Sequence, residues 1–170
     1  MFKLVVAGLA AVSAYAQTDI FDLESCHKPQ CRIKVSYPGR NCNTLYDRFV
    51  VMINAFHNED PGEGTYDLLA TNPQKTVINA KRTSQNKGEV DAVSYVFHQV
   101  GKDCHVKGES SANHPVVFHP ENAYCSIWDV LKYSDVFTTI NVENCSYVPK
   151  NPDTECCHYP KKTENDFLDD

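Results

Sequence analysis

The sequence lacks the features that would hold a protein in a membrane or on a nucleic acid. Beyond the first sixteen residues, no stretch approaches the roughly 18 apolar residues that a membrane-spanning helix needs. The 170 residues include 16 basic and 22 acidic side chains, for a formal net charge of -6, and no cluster of lysine and arginine stands out. We therefore expect no membrane span and no binding to nucleic acid.

The motifs that usually carry catalysis or bind metals are also absent. The sequence has no Gly-x-Ser-x-Gly turn, no glycine-rich phosphate loop after a strand, and no Cys-x-x-Cys, His-x-His or His-Glu-x-x-His motif. Hairpins could still bring His98 close to His105, or His114 close to His119, which leaves a metal or haem site open as an alternative. We predict a protein that is not an enzyme and has no cofactor and no metal.

Residues 1–16 have the layout of a cleavable secretory signal. Lys3 supplies a positive charge, an apolar run follows it, and the small-x-small triplet Ala14-Tyr15-Ala16 marks a cleavage site. The remaining chain has a length that suits one domain with a single core. We predict a secreted protein with one domain over residues 17–160 and a flexible acidic tail over residues 161–170.

Cysteine is abundant, and all of it follows the predicted signal peptide. An even number of cysteines in an oxidising compartment predicts up to four disulfides, although spacing alone leaves their pairing open. Two of the cysteines are adjacent, and a bond between neighbours would strain the backbone, so each should have a different partner. The eight residues are Cys26, Cys31, Cys42, Cys104, Cys125, Cys145, Cys156 and Cys157.

From residue 49 onward, short runs rich in Val, Ile, Tyr, Phe and Thr alternate with turn-forming clusters, which is typical of an all-β domain. In one run, Val93, Tyr95 and Phe97 should share a face. Another run, Tyr124–Tyr133, also fits helical spacing, but we assign it as a strand. The predicted strands are Phe49–Phe56, Thr65–Thr71, Lys75–Arg82, Glu89–Gln99, Cys104–Lys107 with Pro115–His119, Tyr124–Tyr133 and Phe137–Val142.

Strands joined by short links can close as a barrel or pack as a sandwich. We favour an up-and-down antiparallel β-barrel of about seven to eight strands, because closing a meander removes its exposed edges. The segments before residue 49 and after Cys145 are rich in cysteine, proline and charged residues and show no sustained period. We interpret them as disulfide-tethered arms of the same domain.

Three motifs between Cys31 and Cys145 resemble the lipocalins, in particular the branch that contains apolipoprotein D and the arthropod bilin-binding and salivary proteins. Leu45-Tyr46-Asp47-Arg48-Phe49 follows Cys31 at the interval of the family's first-strand motif, with Asp and Phe replacing its glycine and tryptophan. Thr76-Val77-Ile78-Asn79 with Lys87-Gly88-Glu89-Val90 is similar to the third and fourth strands. Val130-Leu131-Lys132-Tyr133-Ser134-Asp135 is similar to a late motif that precedes a cysteine.

The resemblance implies a barrel and a disulfide between Cys31 and Cys145. The family's eighth strand and long C-terminal helix have no counterpart after Cys145, so the C-terminal helix is expected to be lost. Cys104 and Cys125 fall on runs that a meander would make neighbours, which favours a second bond between them. That pairing leaves Cys26 and Cys42 for Cys156 and Cys157.

A barrel of this size can hold one small ligand. We therefore predict a secreted carrier or scavenger of a small, mostly hydrophobic molecule such as a lipid, pigment, retinoid or amine. The alternative is a disulfide-rich interaction protein with a filled core that binds another protein, such as a host factor or a protease. The residues predicted to line the cavity are Tyr66, Leu68, Tyr95, Phe97, Phe118, Trp128 and Tyr133.

One modification site is also predicted. Asn144-Cys145-Ser146 satisfies the rule for N-glycosylation, so Asn144 is a candidate acceptor in a secreted chain.

Overall fold

The structure, a computed structural model, describes residues 30–84, 89–112 and 121–156. The predicted signal peptide, the acidic tail, Cys26, Cys157 and the run Pro115–His119 lie outside these residues. The elements in chain order are β1 (Gln30–Tyr37), α1 (Cys42–Ala55), β2 (Gly64–Thr71), β3 (Val77–Ser84), β4 (Val90–Val100), β5 (Asp103–Ala112), α2 (Asn122–Ser134), β6 (Thr138–Glu143) and α3 (Pro152–Glu155).

The six strands form one antiparallel sheet in the order β2-β3-β4-β5-β1-β6. The predicted meander is present from β2 to β5, where each strand pairs with the next along the chain. β1 then lies between β5 and β6. Among the described residues the sheet is open, with β2 and β6 at its edges, and the predicted barrel is not confirmed.

The sequence assignment missed β1. This strand lies in the segment that we interpreted as an arm, and it occupies an interior position of the sheet. Its burial alternates without a break: Cys31, Ile33, Val35 and Tyr37 are buried, while the residues between them are half-buried. A period of two is the signature of a strand with one face on the core.

The predicted strand Phe49–Phe56 is wrong, because this segment belongs to α1. The helix begins after Asn41, whose side-chain oxygen accepts hydrogen bonds from the backbone of Asn43 and Thr44. Its buried residues fall at helical spacing and face the sheet. They are Cys42, Leu45, Tyr46, Phe49 and Ile53.

The predicted strand Tyr124–Tyr133 is also wrong, and the helical spacing seen in that run is the correct reading. The segment forms α2, which packs on the same face of the sheet as α1 and contacts α1 as well. Residues 123–127 are buried in succession, because the sheet, α1 and the C-terminal segment surround the helix. This removes the polar stripe by which a surface helix is usually recognised.

The core between the sheet and the two helices is filled by side chains. Phe49 of α1 packs edge-to-face on Tyr95 and Phe97 of β4, with ring centroids 5.2 Å and 4.9 Å apart. α2 approaches β5 so closely that a Cβ atom at Gly108 would lie 2.3 Å from Cγ2 of Ile127. Glycine at this position therefore sets the distance between α2 and the sheet.

Three disulfides staple the fold. The Cys31–Cys145 bond that the lipocalin resemblance implies is present. The predicted Cys104–Cys125 bond is wrong, because Cys104 is bonded to Cys42 and Cys125 is bonded to Cys156. The same two bonds exclude a Cys42 bond to Cys156 or Cys157. Within the described residues, no helix is long and apolar enough to cross a membrane.

Candidate functional site

The C-terminal segment crosses α2 between two disulfides. We call residues 146–156 the strap. One end follows Cys145, which is bonded to β1, and the other end is Cys156, which is bonded to α2. The strap also carries an ion pair between Asp153 and Lys132 of α2. These attachments hold it against the outer side of the helix.

A pocket of about 340 Å³ lies where α2, the residues before and within β6, and the strap meet. We call it the Trp128 pocket. Its volume is in the range of sites that hold small ligands. The lining residues are Trp128, Lys132, Asp135, Val136, Phe137, Thr139 and Asp153.

Aromatic rings form one wall of the Trp128 pocket. Phe137 meets Trp128 edge-to-face at 5.2 Å between ring centroids, and Tyr124 stacks on Trp128 at 5.7 Å. The indole nitrogen of Trp128 is buried and has no hydrogen-bond partner among the described residues. A buried indole N–H usually has a partner. This wall therefore presents aromatic, apolar surface, and it contains the indole N–H of Trp128, a hydrogen-bond donor that no described residue satisfies.

Two acidic residues at the pocket have basic partners. Asp135 accepts hydrogen bonds from Arg40 and Arg48 on the side of α1, and its side chain is only 8% exposed. Asp153 pairs with Lys132 at the rim, and both of these side chains are about half exposed. A surface ion pair of this kind is weak and can rearrange. The rim can therefore open without loss of a strong interaction.

Most of the predicted ligand-binding residues lie away from this pocket. Tyr66, Tyr95 and Phe97 are buried in the core. The Tyr66 and Tyr95 hydroxyls donate to the Ser126 carbonyl at 2.7 Å and 3.2 Å, and burial raises the pKa of both phenols well above the usual value. These hydroxyls thus already have protein partners.

The remaining predicted residues are divided between the surface and the pocket. Leu68 is partly buried at the edge of the core, and Tyr133 is 46% exposed, with its ring 5.7 Å from that of Phe56. Phe118 lies outside the described residues. Trp128 is the predicted residue that the structure places at the pocket.

Sequence reasoning missed the other pocket residues. Phe137 belonged to a predicted strand, and Lys132 to the late lipocalin-like motif, but no pattern linked them to Asp153. The strap brings Asp153 back to α2 after a separation of 21 residues. A contact between residues this far apart leaves no periodic pattern in the local sequence.

A cluster of charged residues is buried around Asp129 of α2. Arg82 of β3 donates to an Asp60 carboxylate oxygen at 3.1 Å and to the Gly62 carbonyl at 3.0 Å. The carboxyl group of Asp129 is fully buried, and neither oxygen has a hydrogen-bond partner within the described residues. Burial therefore raises the pKa of Asp129 well above the usual value, although Arg82 opposes this shift.

This buried cluster has no access to solvent, because Asp60, Arg82 and Asp129 are each no more than 2% exposed. The strap closes it on one side: a Cβ atom at Gly62 would lie 2.9 Å from the Cys156 carbonyl oxygen. We therefore assign the cluster a structural role and not a catalytic one. In the part of the chain that the structure describes, no three acidic, histidine or cysteine side chains are grouped to hold a metal ion.

Asn144 is exposed in the turn that follows β6, with a φ of 55°. The next residue, Cys145, is bonded to Cys31, and the Ser146 amide donates to the Gln30 carbonyl at 3.2 Å. In the predicted glycosylation site, Asn144 is thus accessible, whereas Cys145 and Ser146 are held by a disulfide and a backbone hydrogen bond.

The comparisons with known proteins give distant likenesses of fold. No family model and no curated protein matches the sequence. Similar solved structures include DynU16 from the dynemicin biosynthetic locus, with a TM-score of 0.47, 10% identity, and coverage of 62% of this chain and 45% of that chain. CalU16 from Micromonospora echinospora has a TM-score of 0.46 and 13% identity, over 63% of this chain and 76% of that chain.

Protein CV1439 from Chromobacterium violaceum is similar as well, with a TM-score of 0.40, 10% identity, and coverage of 61% of this chain and 93% of that chain. The chain thus spans less than half of the length of DynU16. Likenesses this distant do not assign a family.

Proposed function

We propose that the mature protein is secreted and binds a small, mostly apolar ligand in the Trp128 pocket. The observation that carries the proposal is the pocket itself, about 340 Å³ beside Trp128 and Phe137. This differs from the prediction of a barrel cavity, because the ligand would bind between α2 and the strap. The relation to lipocalins stays a prediction, and the proposal does not depend on it.

Binding would draw on burial of apolar surface. Each Å² of apolar surface removed from water contributes roughly 25 cal/mol, and a flat aromatic ligand could cover Trp128, Phe137 and Val136 together. Val136 is 83% exposed, so a ligand in the pocket would shield apolar surface that is otherwise open to water. Polar groups at the rim, Lys132 and Asp153, would set the orientation.

Secretion is supported by two independent features. The N-terminal sixteen residues have the layout of a signal peptide. The described part of the chain contains three disulfides, which are common in extracellular proteins and rare in reducing compartments. N-terminal sequencing of protein recovered from the culture medium of an expressing eukaryotic cell would test this, and a product that begins with Met1 would contradict it.

The binding test uses Trp128, the single tryptophan, as the probe. The oxidised protein is titrated with a fatty acid, a retinoid, a bilin and a biogenic amine while the tryptophan emission is followed. We expect saturable quenching with one-to-one stoichiometry for at least one compound. No response from any compound, in protein shown to be folded by circular dichroism, would contradict the proposal.

Two matched variants locate the site. Val136→Asp places a charge at the pocket, whereas Leu69→Asp places the same charge on β2, where Leu69 is 57% exposed. Both variants keep Trp128, and both positions are exposed, so neither change should disturb the core. We expect Val136→Asp to weaken binding about tenfold or more, which corresponds to about 1.4 kcal/mol. Equal affinities of the two variants would place the ligand elsewhere.

One observation favours the alternative of a protein partner. β6 is an edge strand, and its first four residues are exposed, with Ile140 at 53%. An exposed edge of this kind can accept an extended segment of another protein. If the folded protein responds to none of the small compounds, we prefer this function. A partner whose binding is weakened by Ile140→Lys but not by Leu69→Lys would support it.

A further inference from the structure

The hairpin of β4 and β5 places two histidines directly opposite each other. The strands are joined by a two-residue turn at Gly101 and Lys102, and Gly101 has a φ of 60°, as tight hairpin turns require. From this turn the register runs without a bulge, and His98 is paired with His105. The approach of these residues across a hairpin, which the sequence left open, is therefore confirmed.

Both imidazoles lie on the face of the sheet that points away from the helices. On β5, Cys104 and Val106 are buried, so His105 between them faces the other side. On β4, Phe97 is buried against Phe49, and the next residue, His98, is exposed. Successive side chains on a strand point to opposite faces, so His98 and His105 share the outer face.

Within the part of the chain that the structure describes, neither ring has a partner that would keep it from binding a ligand. No hydrogen bond or ion pair joins His98 or His105 to a side chain among the described residues. The nearest charged residues on the same face of β5 are Asp103 and Lys107, two positions to either side. Asp103 accepts a hydrogen bond from the Gly39 amide, and Lys107 pairs with Glu109 at 3.2 Å.

We propose that His98 and His105 form a two-histidine site for a late first-row divalent ion, Cu²⁺ or Zn²⁺. Cβ atoms of directly opposed residues in an antiparallel pair lie about 4.5–5.5 Å apart. An imidazole nitrogen binds such an ion at about 2.0–2.1 Å, so two rings on this pair can reach one ion from the same side. Imidazole suits copper and zinc better than the hard cations Mg²⁺ and Ca²⁺. Water would complete the coordination shell.

The hairpin also holds the two histidines in a rigid backbone. β4 and β5 share a continuous ladder from Asp91 to Val100, and both strands are interior to the sheet. The backbone that carries the rings is thus held in place before an ion binds, so little ordering is needed on binding.

The test is a Cu²⁺ titration of the full oxidised protein at neutral pH, with electron paramagnetic resonance at one equivalent of the ion. Three variants are compared with the wild type: His98→Asn, His105→Asn and the control His57→Asn. His57 is an exposed histidine that pairs with Asp67 on β2 and lies outside the hairpin. His57 and His98 are exposed and His105 is half-buried on the outer face of the sheet, and circular dichroism verifies the fold of each variant.

We expect the wild type to bind one Cu²⁺ with hyperfine splitting from two nitrogens. Each hairpin variant should weaken binding about tenfold or more and lose that splitting, whereas His57→Asn should leave both unchanged. A smaller loss in either hairpin variant, or no Cu²⁺ binding by the wild type, overturns the proposal. The first of these results would place the ion on histidines elsewhere in the chain.

Discussion

Gly108 offers a sharp test of how the helices rest on the sheet. It lies in β5 under α2, and a Cβ atom there would be 2.3 Å from Cγ2 of Ile127 and 3.4 Å from Cε1 of Tyr95. Carbon atoms in good contact are about 3.5–4.0 Å apart. The Tyr95 contact is tight but tolerable, whereas the Ile127 contact falls short by more than 1 Å. Gly108→Ala must therefore push α2 away from the sheet.

The expected magnitude is the balance of two effects. Overpacking a well-filled core usually costs about 1–3 kcal/mol. Replacing a glycine in a strand with alanine gains about 0.5–1 kcal/mol, because the unfolded chain loses conformational freedom. We expect Gly108→Ala to lower the free energy of unfolding by about 0.5–2 kcal/mol.

A second substitution reverses the sign. Ile127 is fully buried, so Ile127→Ala should itself lower the free energy of unfolding by about 2–5 kcal/mol. It also removes the methyl group that Gly108→Ala would strike. In that background the added methyl fills vacated space, and Gly108→Ala should be neutral or stabilising by up to about 1 kcal/mol.

Urea unfolding of the four proteins in this double-mutant cycle measures the coupling. The prediction requires a coupling of about 0.5–3 kcal/mol between the two positions. If Gly108→Ala lowers stability equally in both backgrounds, the close approach of α2 to β5 is not the cause, and the reasoning is refuted.

Three further predictions concern the buried charges and the strap. Burial raises the pKa of Asp129 above its usual value of about 3.8, so wild-type stability should fall as the pH rises from that value until it passes the pKa in the folded state. Asp129→Asn removes this dependence, and its advantage in urea unfolding should grow with pH by up to about 1.4 kcal/mol per unit; a constant difference would count against it. Arg82→Ala should lower the free energy of unfolding by about 3–5 kcal/mol, because it leaves buried carboxyl groups without a cation, whereas Lys75→Ala at an exposed ion pair should change it by less than about 1 kcal/mol. If thermal unfolding shows similar losses of stability in the two variants, the Arg82 ion pair is not buried as described. Replacing Cys125 and Cys156 together with serine opens a bond of sequence separation 31 and should cost about 4 kcal/mol in guanidinium unfolding; a loss below about 1 kcal/mol would mean that packing alone holds the strap.

Local patterns in the sequence predicted most of the strands. β2, β3, β4 and β6 agree with predicted runs to within a few residues, and Val93, Tyr95 and Phe97 share the buried face as expected. The reason is that a strand with one face on a core has a period of two, which neighbouring residues display. β1 alternates as clearly, but it also contains a cysteine and two charged residues, which are typical of an irregular arm.

The helices show where local patterns fail. α1 carries Val50 and Val51 beside Phe49, and β-branched residues next to an aromatic favour a strand. α2 has buried residues on nearly every side, so its sequence fits both the spacing of a helix and the continuous apolar run of a buried strand. In both segments the tertiary contacts of the helix, and not its intrinsic propensity, determined its conformation.

The candidate sites divide in the same way. The sequence predicts Trp128 as a ligand-binding residue and leaves open that His98 approaches His105, because an aromatic side chain and a short hairpin are visible locally. The link between Trp128 and Asp153 was not predictable, since it depends on the path of the strap across α2.

By itself, the sequence determined the disulfide-rich character of this protein and its mainly antiparallel β structure, because composition and short periods suffice for both. The tertiary structure decided the insertion of β1 between β5 and β6, the open sheet of the described residues, and the Cys42–Cys104 and Cys125–Cys156 bonds. These features join residues that are distant in the chain. Which distant surfaces meet depends on how the whole core packs, and no local pattern encodes that choice.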